Sequence, residues 1–120
     1  MEKDIEKVRF FAVTGAKTNL GGTVIGSSNL VINGLNTVLE GDVVTYPDGN
    51  KASVMRDVST GLECEKLTAA VVGTKLSNGD HITDAAQSSM ALFIFKDGTS
   101  SLGYIDDDTE LNEYVIQGVA

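Results

Sequence analysis

Four Asx-Gly pairs, Asn33-Gly34, Asp48-Gly49, Asn78-Gly79 and Asp97-Gly98, each stand between short runs of strand-forming residues. Asn and Asp tolerate, and Gly favours, the positive φ that a tight hairpin requires. A chain punctuated in this way folds as short strands joined by tight turns. The sequence predicts strands at 23–25, 29–33, Val38-Leu39, Val43-Val44, 69–72, 90–95 and 114–116. In 90–95, Leu92 and Ile94 alternate with Phe93 and Phe95, so that strand is apolar on both faces and belongs in a central or interface position. Helix signals are confined to residues 2–8 and a turn at 84–88. The expected fold class is all-β.

Thirteen glycines and a single proline, Pro47, extend this grammar along the whole chain. No linker interrupts it. The expectation is one β domain over residues 1–99, with a short extension at 100–120 that forms strands and packs on the same domain.

The repetition goes beyond turns. Three segments share an apolar pair, a glycine and a polar stretch: Ala12-Val13-Thr14-Gly15-Ala16-Lys17, Val38-Leu39-Glu40-Gly41-Asp42-Val43 and Val71-Val72-Gly73-Thr74-Lys75. Thr18-Asn19-Leu20-Gly21-Gly22 parallels Leu76-Ser77-Asn78-Gly79-Asp80. Ser27-Ser28-Asn29-Leu30-Val31-Ile32 parallels Ser88-Ser89-Met90-Ala91-Leu92-Phe93. Recurrence at this scale points to a pseudo-repeated small β fold, the alternative being chance recurrence of hairpin grammar in a glycine-rich β chain.

Gly21-Gly22-Thr23-Val24-Ile25-Gly26-Ser27-Ser28-Asn29-Leu30-Val31-Ile32-Asn33-Gly34, followed after a short stretch by Gly41-Asp42, resembles the recurring phrase of the PAAR-repeat family. A weaker copy runs over 69–98. The resemblance implies a compact cone of short β-hairpins with pseudo-threefold repeats. It implies that one copy caps the end of a homotrimeric β-helical spike and forms its piercing point. Such spikes belong to contractile phage tails, type VI secretion systems and extracellular injection particles. The implied role is structural and not enzymatic, with effector cargo as a further partner and only transient contact with a target membrane. The implied location is the cytoplasm before assembly, then a virion or secreted particle.

Family members commonly hold zinc at the apex through histidines and a cysteine. The corresponding apex positions here are Leu20, Asp48, Thr74 and Asn78, and the middle segment reads Tyr46-Pro47-Asp48-Gly49. Leucine cannot ligate zinc, and Asn and Thr are poor ligands beside imidazole and thiolate. The resemblance therefore implies an apex without cofactor or metal, held by packing and hydrogen bonds. Phe10, Phe11, Phe93 and Phe95 are the candidates for the base that meets the spike.

Charge and residue counts limit the competing functions. The net charge is −8, and the nine Lys and Arg are scattered, which argues against nucleic acid and anionic membranes as partners. No apolar run approaches the roughly 18–20 residues of a spanning helix. One cysteine, Cys64, and one histidine, His81, rule out an intrachain disulfide and a conventional Cys/His zinc site. Glu63 and Glu65 flank Cys64 and oppose thiolate formation. His81 is the one weak metal candidate and reads as a surface or hydrogen-bonded residue. Asp106-Asp107-Asp108 lacks the ligand spacing of a calcium loop. No nucleophile elbow, P-loop or dinucleotide fingerprint occurs. A free-standing β binding module is the alternative to the spike tip, and a small thiol or carboxylate hydrolase is a third reading.

Overall fold

A computed structural model describes residues 4–105. They form twelve strands and one short 3-10 helix (Val58–Thr60). The strands are β1 (Ile5–Phe10), β2 (Lys17–Thr18), β3 (Thr23–Val24), β4 (Val31–Ile32), β5 (Leu35–Asn36), β6 (Val43–Thr45), β7 (Lys51–Ser53), β8 (Glu63–Cys64), β9 (Leu67–Thr68), β10 (Ile82–Asp84), β11 (Met90–Phe95) and β12 (Ser100–Tyr104). The chain is all-β, as its turn grammar requires. All four Asx-Gly pairs lie at hairpin turns, each glycine at positive φ.

The organising feature is a three-way ring of backbone hydrogen bonds. Ala12 N–H donates to Ala70 O, Ala70 N–H to Val38 O, and Val38 N–H to Ala12 O, each at 2.9 Å. Flanking bridges pair Phe11 with Val71, Val13 with Thr37, and Leu39 with Ala69. Each ring segment thus bonds both others, which closes the ring with pseudo-threefold symmetry. Ala12, Val38 and Ala70 belong to one apolar cluster. Their neighbours Phe11, Val13, Leu39, Ala69 and Val71 belong to another. The ring therefore divides the interior into two cores, one for each face of its alternating side chains.

Each ring segment continues in the same way. A turn closes with Ala16 N–H to Val13 O, Asp42 N–H to Leu39 O, and Thr74 N–H to Val71 O. The third residue of that turn is Gly15, Gly41 or Gly73, at φ 99°, 88° and 98°. A tip hairpin follows: β2–β3, β6–β7, and 74–82. These hairpins bond one another in a closed wall. The sheet runs β10-β2-β3-β6-β7, and residues 75–77 close it by bonding 53–55 on one side and 80–82 on the other. Val24, Val44, Val54, Leu76 and Ile82 fill its interior. Burying side chains of this kind stabilises by roughly 1.5–3 kcal/mol each.

Each ring segment is also preceded in the same way. Thr37 N–H donates to Leu30 O, Ala69 N–H to Leu62 O, and Phe11 N–H to Met90 O. The hairpins β4–β5 and β8–β9 match the pair β11–β1, so that Ile32, Cys64 and Leu92 occupy equivalent positions in the second core. The third unit is therefore split, with β11 supplied late in the chain and β1 early. The similarity between 27–32 and 88–93 seen in the sequence is displaced by one residue from this register. It pairs Ile32 with Phe93, whereas the fold pairs Ile32 with Leu92. A one-residue slip exchanges the faces of a strand, and Phe93 accordingly packs in a separate cluster with Ala91 and Phe95.

Two sequence expectations differ, both of them helix signals. The helix signal over 2–8 gives way to strand β1, which pairs with β11 from Ile5↔Phe95 to Phe10↔Ala91. Local helix propensity is a weak preference, and a ladder along an apolar central strand overrides it. The 84–88 turn holds no helix. β12 pairs with β11 from Met90↔Tyr104 to Ile94↔Ser100, so the first residues of the 100–120 extension complete a sheet in which β11 is central. The strand expected at 114–116 lies outside the described residues. No helix among the described residues is long and apolar enough to cross a membrane.

Candidate functional site

The three tip hairpins end in matching four-residue turns: Thr18-Asn19-Leu20-Gly21, Tyr46-Pro47-Asp48-Gly49 and Leu76-Ser77-Asn78-Gly79. In each, the glycine N–H donates to the carbonyl of the first residue, at 3.1, 2.9 and 3.0 Å. The glycines stand at φ 90°, 88° and 88°. Leu20, Asp48 and Asn78 therefore hold the same place in three related turns. All three line one open depression, together with Tyr46, Pro47 and Asn50.

Thr74 is not among them. It closes the turn after the third ring segment, where its Oγ1 accepts from Val71 N–H (3.0 Å) and donates to Asp57 Oδ2 (2.8 Å). Asp42 does the matching work in the second unit, accepting from Leu39 N–H at 2.8 Å. A residue just after Gly73 lies beside the ring, a full hairpin arm away from the tip glycine Gly79.

Below the depression lies a buried polar network that joins all three hairpins. Asp80 is 2% exposed. Its carboxylate accepts from Leu20 N–H (3.2 Å to Oδ1), Tyr46 O–H (2.7 Å to Oδ2) and His81 N–H (2.8 Å to Oδ1). The Thr18 hydroxyl also bonds it. Asn78 Nδ2 donates to the Tyr46 hydroxyl (3.0 Å), and Asp80 N–H donates to Asn78 Oδ1 (3.1 Å). Burial alone would raise the carboxyl pKa, but the hydrogen bonds from Thr18, Tyr46, His81 and Leu20 outweigh it and hold Asp80 below its ordinary value. Burial, and then the bond to Asp80, push the Tyr46 phenol above its ordinary value.

The tip residues do not fit a zinc ion. Leu20 has no donor atom. Both Asp48 oxygens already accept from Asn50, at 2.9 Å each, one from the backbone N–H and one from Nδ2. Asn78 spends its amide on Tyr46 and Asp80. His81 is exposed on the wall, and only its backbone N–H joins the network. No group of three or more His, Cys, Asp or Glu suited to a metal occurs among the described residues.

The aromatic base candidates lie inside the chain. Phe11 and Phe93 are fully buried and Phe95 is 5% exposed. Phe11 flanks the ring in the second core, and Phe93 and Phe95 pack in the third cluster, with Phe10 half-buried beside them. These three phenylalanines are thus committed to the chain's own packing and do not form a docking face. The end of the molecule opposite the tips carries the second core, with Leu62, Cys64 and Ile94 partly buried at its margin. Cys64 takes the place that Ile32 and Leu92 hold in the other units, which is a packing position.

Sequence reasoning missed Tyr46 and Asp80. Aligning all three tips would have placed Thr18, Tyr46 and Leu76 together, and Gly22, Asn50 and Asp80 together. Across those two sets Asp80 is the carboxylate, and Thr18 and Tyr46 are the hydroxyl donors that reach it from the other two hairpins. No protein-family model matches this chain, and no curated protein or solved structure matches it.

Proposed function

We propose that this chain is the tip protein of a contractile injection machine, one copy capping the end of a homotrimeric β-helical spike. The observation that carries the reading is the closed three-way ring of Ala12, Val38 and Ala70. A monomer built on such a ring can meet three identical chains with three near-equivalent parts of its own surface. The end opposite the tips is the docking end, and the converging turns at Leu20, Asp48 and Asn78 are the point.

The Gly21 to Asp42 phrase supports the same reading. It runs from the last residue of the first tip turn through β3 and β4–β5 to the second ring segment, and its Gly26 sits where a side chain cannot. A Cβ there would lie 2.3 Å from Asn36 O. The role is mechanical. A closed wall with a buried core resists bending, so contraction of the machine drives the point into an envelope. Effector cargo rides as a separate partner, and contact with the target membrane is transient. The chain folds in the producer's cytoplasm and then joins a virion or secreted particle.

Deleting the chain from producing cells tests this. Sheathed particles should still assemble, but delivery into target cells should fall and return when the chain is restored. Undiminished delivery by particles lacking it would refute the role.

A further inference from the structure

We infer that the apex carries a lock built from three different parts, one from each pseudo-repeat, which holds the point closed without a bound ion. The inference does not depend on the spike-tip reading. The first hairpin supplies space at Gly22. A Cβ there would meet Val44 Cγ1 at 2.6 Å, Thr18 Oγ1 at 2.9 Å and Tyr46 Cε1 at 2.9 Å. Only glycine lets the Tyr46 ring cross this point. The second hairpin supplies the donor, the Tyr46 hydroxyl, and the third supplies the acceptor, Asp80. The Asp80 carboxylate then reaches back to the first hairpin through Leu20 N–H.

Gly22 and Asp80 share one repeat position with Asn50, Tyr46 shares another with Thr18 and Leu76, and the residues at each position are chemically unlike. A threefold-symmetric tip would place three identical side chains at the axis and could not set a phenol against a carboxylate there. Here the asymmetry itself makes the contact. A buried carboxylate that loses its donors pays the cost of desolvation uncompensated. Opening any one hairpin therefore removes bonds that hold the other two, and the tips should open as one unit.

Hydrogen exchange in the full chain tests this by NMR, with Asp80→Asn, Tyr46→Phe and Gly22→Ala. In each variant the amides of Leu20, Asp80 and His81 should exchange faster together, by at least about tenfold, since a charge-assisted bond is worth that much or more. The ring amides of Ala12, Val38 and Ala70 should keep their rates. Acceleration confined to the hairpin that carries the substitution would overturn the shared lock. Equal acceleration of the ring amides would overturn its local character. Should Asp80→Asn fail to fold, Tyr46→Phe decides, because it deletes a single oxygen atom. Dialysis of the unmodified protein against EDTA should leave the Leu20 and His81 rates unchanged, and faster exchange after chelation would overturn closure without an ion.

Discussion

Gly26→Ala should be among the most damaging conservative substitutions in this chain, and for a reason distinct from backbone conformation. Gly26 N–H donates to Thr14 Oγ1 at 2.9 Å. An added Cβ would stand 2.3 Å from Asn36 O, 2.7 Å from Thr37 O and 2.8 Å from Thr37 C. These are backbone atoms, so no side chain can swing aside. Asn36 O already accepts from Thr14 N–H, and Thr37 O from Ser28 N–H. Separating the two segments sacrifices bonds worth about 1 kcal/mol each and adds overpacking strain of about 1–3 kcal/mol. The expected cost is about 3–5 kcal/mol, a large share of a typical domain's stability. Gly34→Ala is the control. Gly34 sits at φ 81° with nothing within 4 Å of a Cβ, so only the left-handed conformation is penalised, at about 1–2 kcal/mol. Urea unfolding followed by far-UV circular dichroism compares the two. A Gly26→Ala cost no larger than that of Gly34→Ala would refute the close-approach argument.

Other outcomes follow from single features. The folded pKa of Asp80 lies below its unfolded value of about 3.9. Its contribution is therefore complete above that value and is lost as pH falls through the folded pKa. Acid titration of stability should show a loss below about pH 4 that Asp80→Asn lacks. An identical acid limb in both proteins would contradict this. Cys64→Val should change the urea midpoint little, within about 1.5 kcal/mol, because equivalent positions hold Ile32 and Leu92. The β8–β9 turn holds Glu65 at φ 52° and Lys66 at φ 71°. Replacing them with Asn and Gly should stabilise by about 1 kcal/mol, read as a raised thermal midpoint, since these residues tolerate positive φ far better.

That last turn also shows where the sequence stops being readable. Asx-Gly pairs advertised four hairpins through local stereochemistry. The β8–β9 hairpin has no such pair, because the ring and the second core impose its conformation on Glu65-Lys66 against local preference. Leu20, Asp48, Thr74 and Asn78 rest on the family resemblance alone; in the fold the first, second and fourth hold matching places in the three turns, each directly before a turn glycine, whereas Thr74 follows Gly73, which serves a different turn. Phe11, Phe93 and Phe95 looked like docking surface because apolar content alone does not tell an interior from an interface. β1 was unreadable as a strand because its partner, β11, lies some eighty residues away. The pairing of Tyr46 with Asp80 required the register of all three repeats, which similarity between two of them cannot supply.

The proposed cap sets one pseudo-threefold chain on a true trimer. Native mass spectrometry of the chain mixed in excess with the trimeric β-helical spike protein of its own machine tests it most directly. One 12.6 kDa chain should add to each spike trimer, with no second copy bound. A trimer that gains three copies, or none, would contradict it.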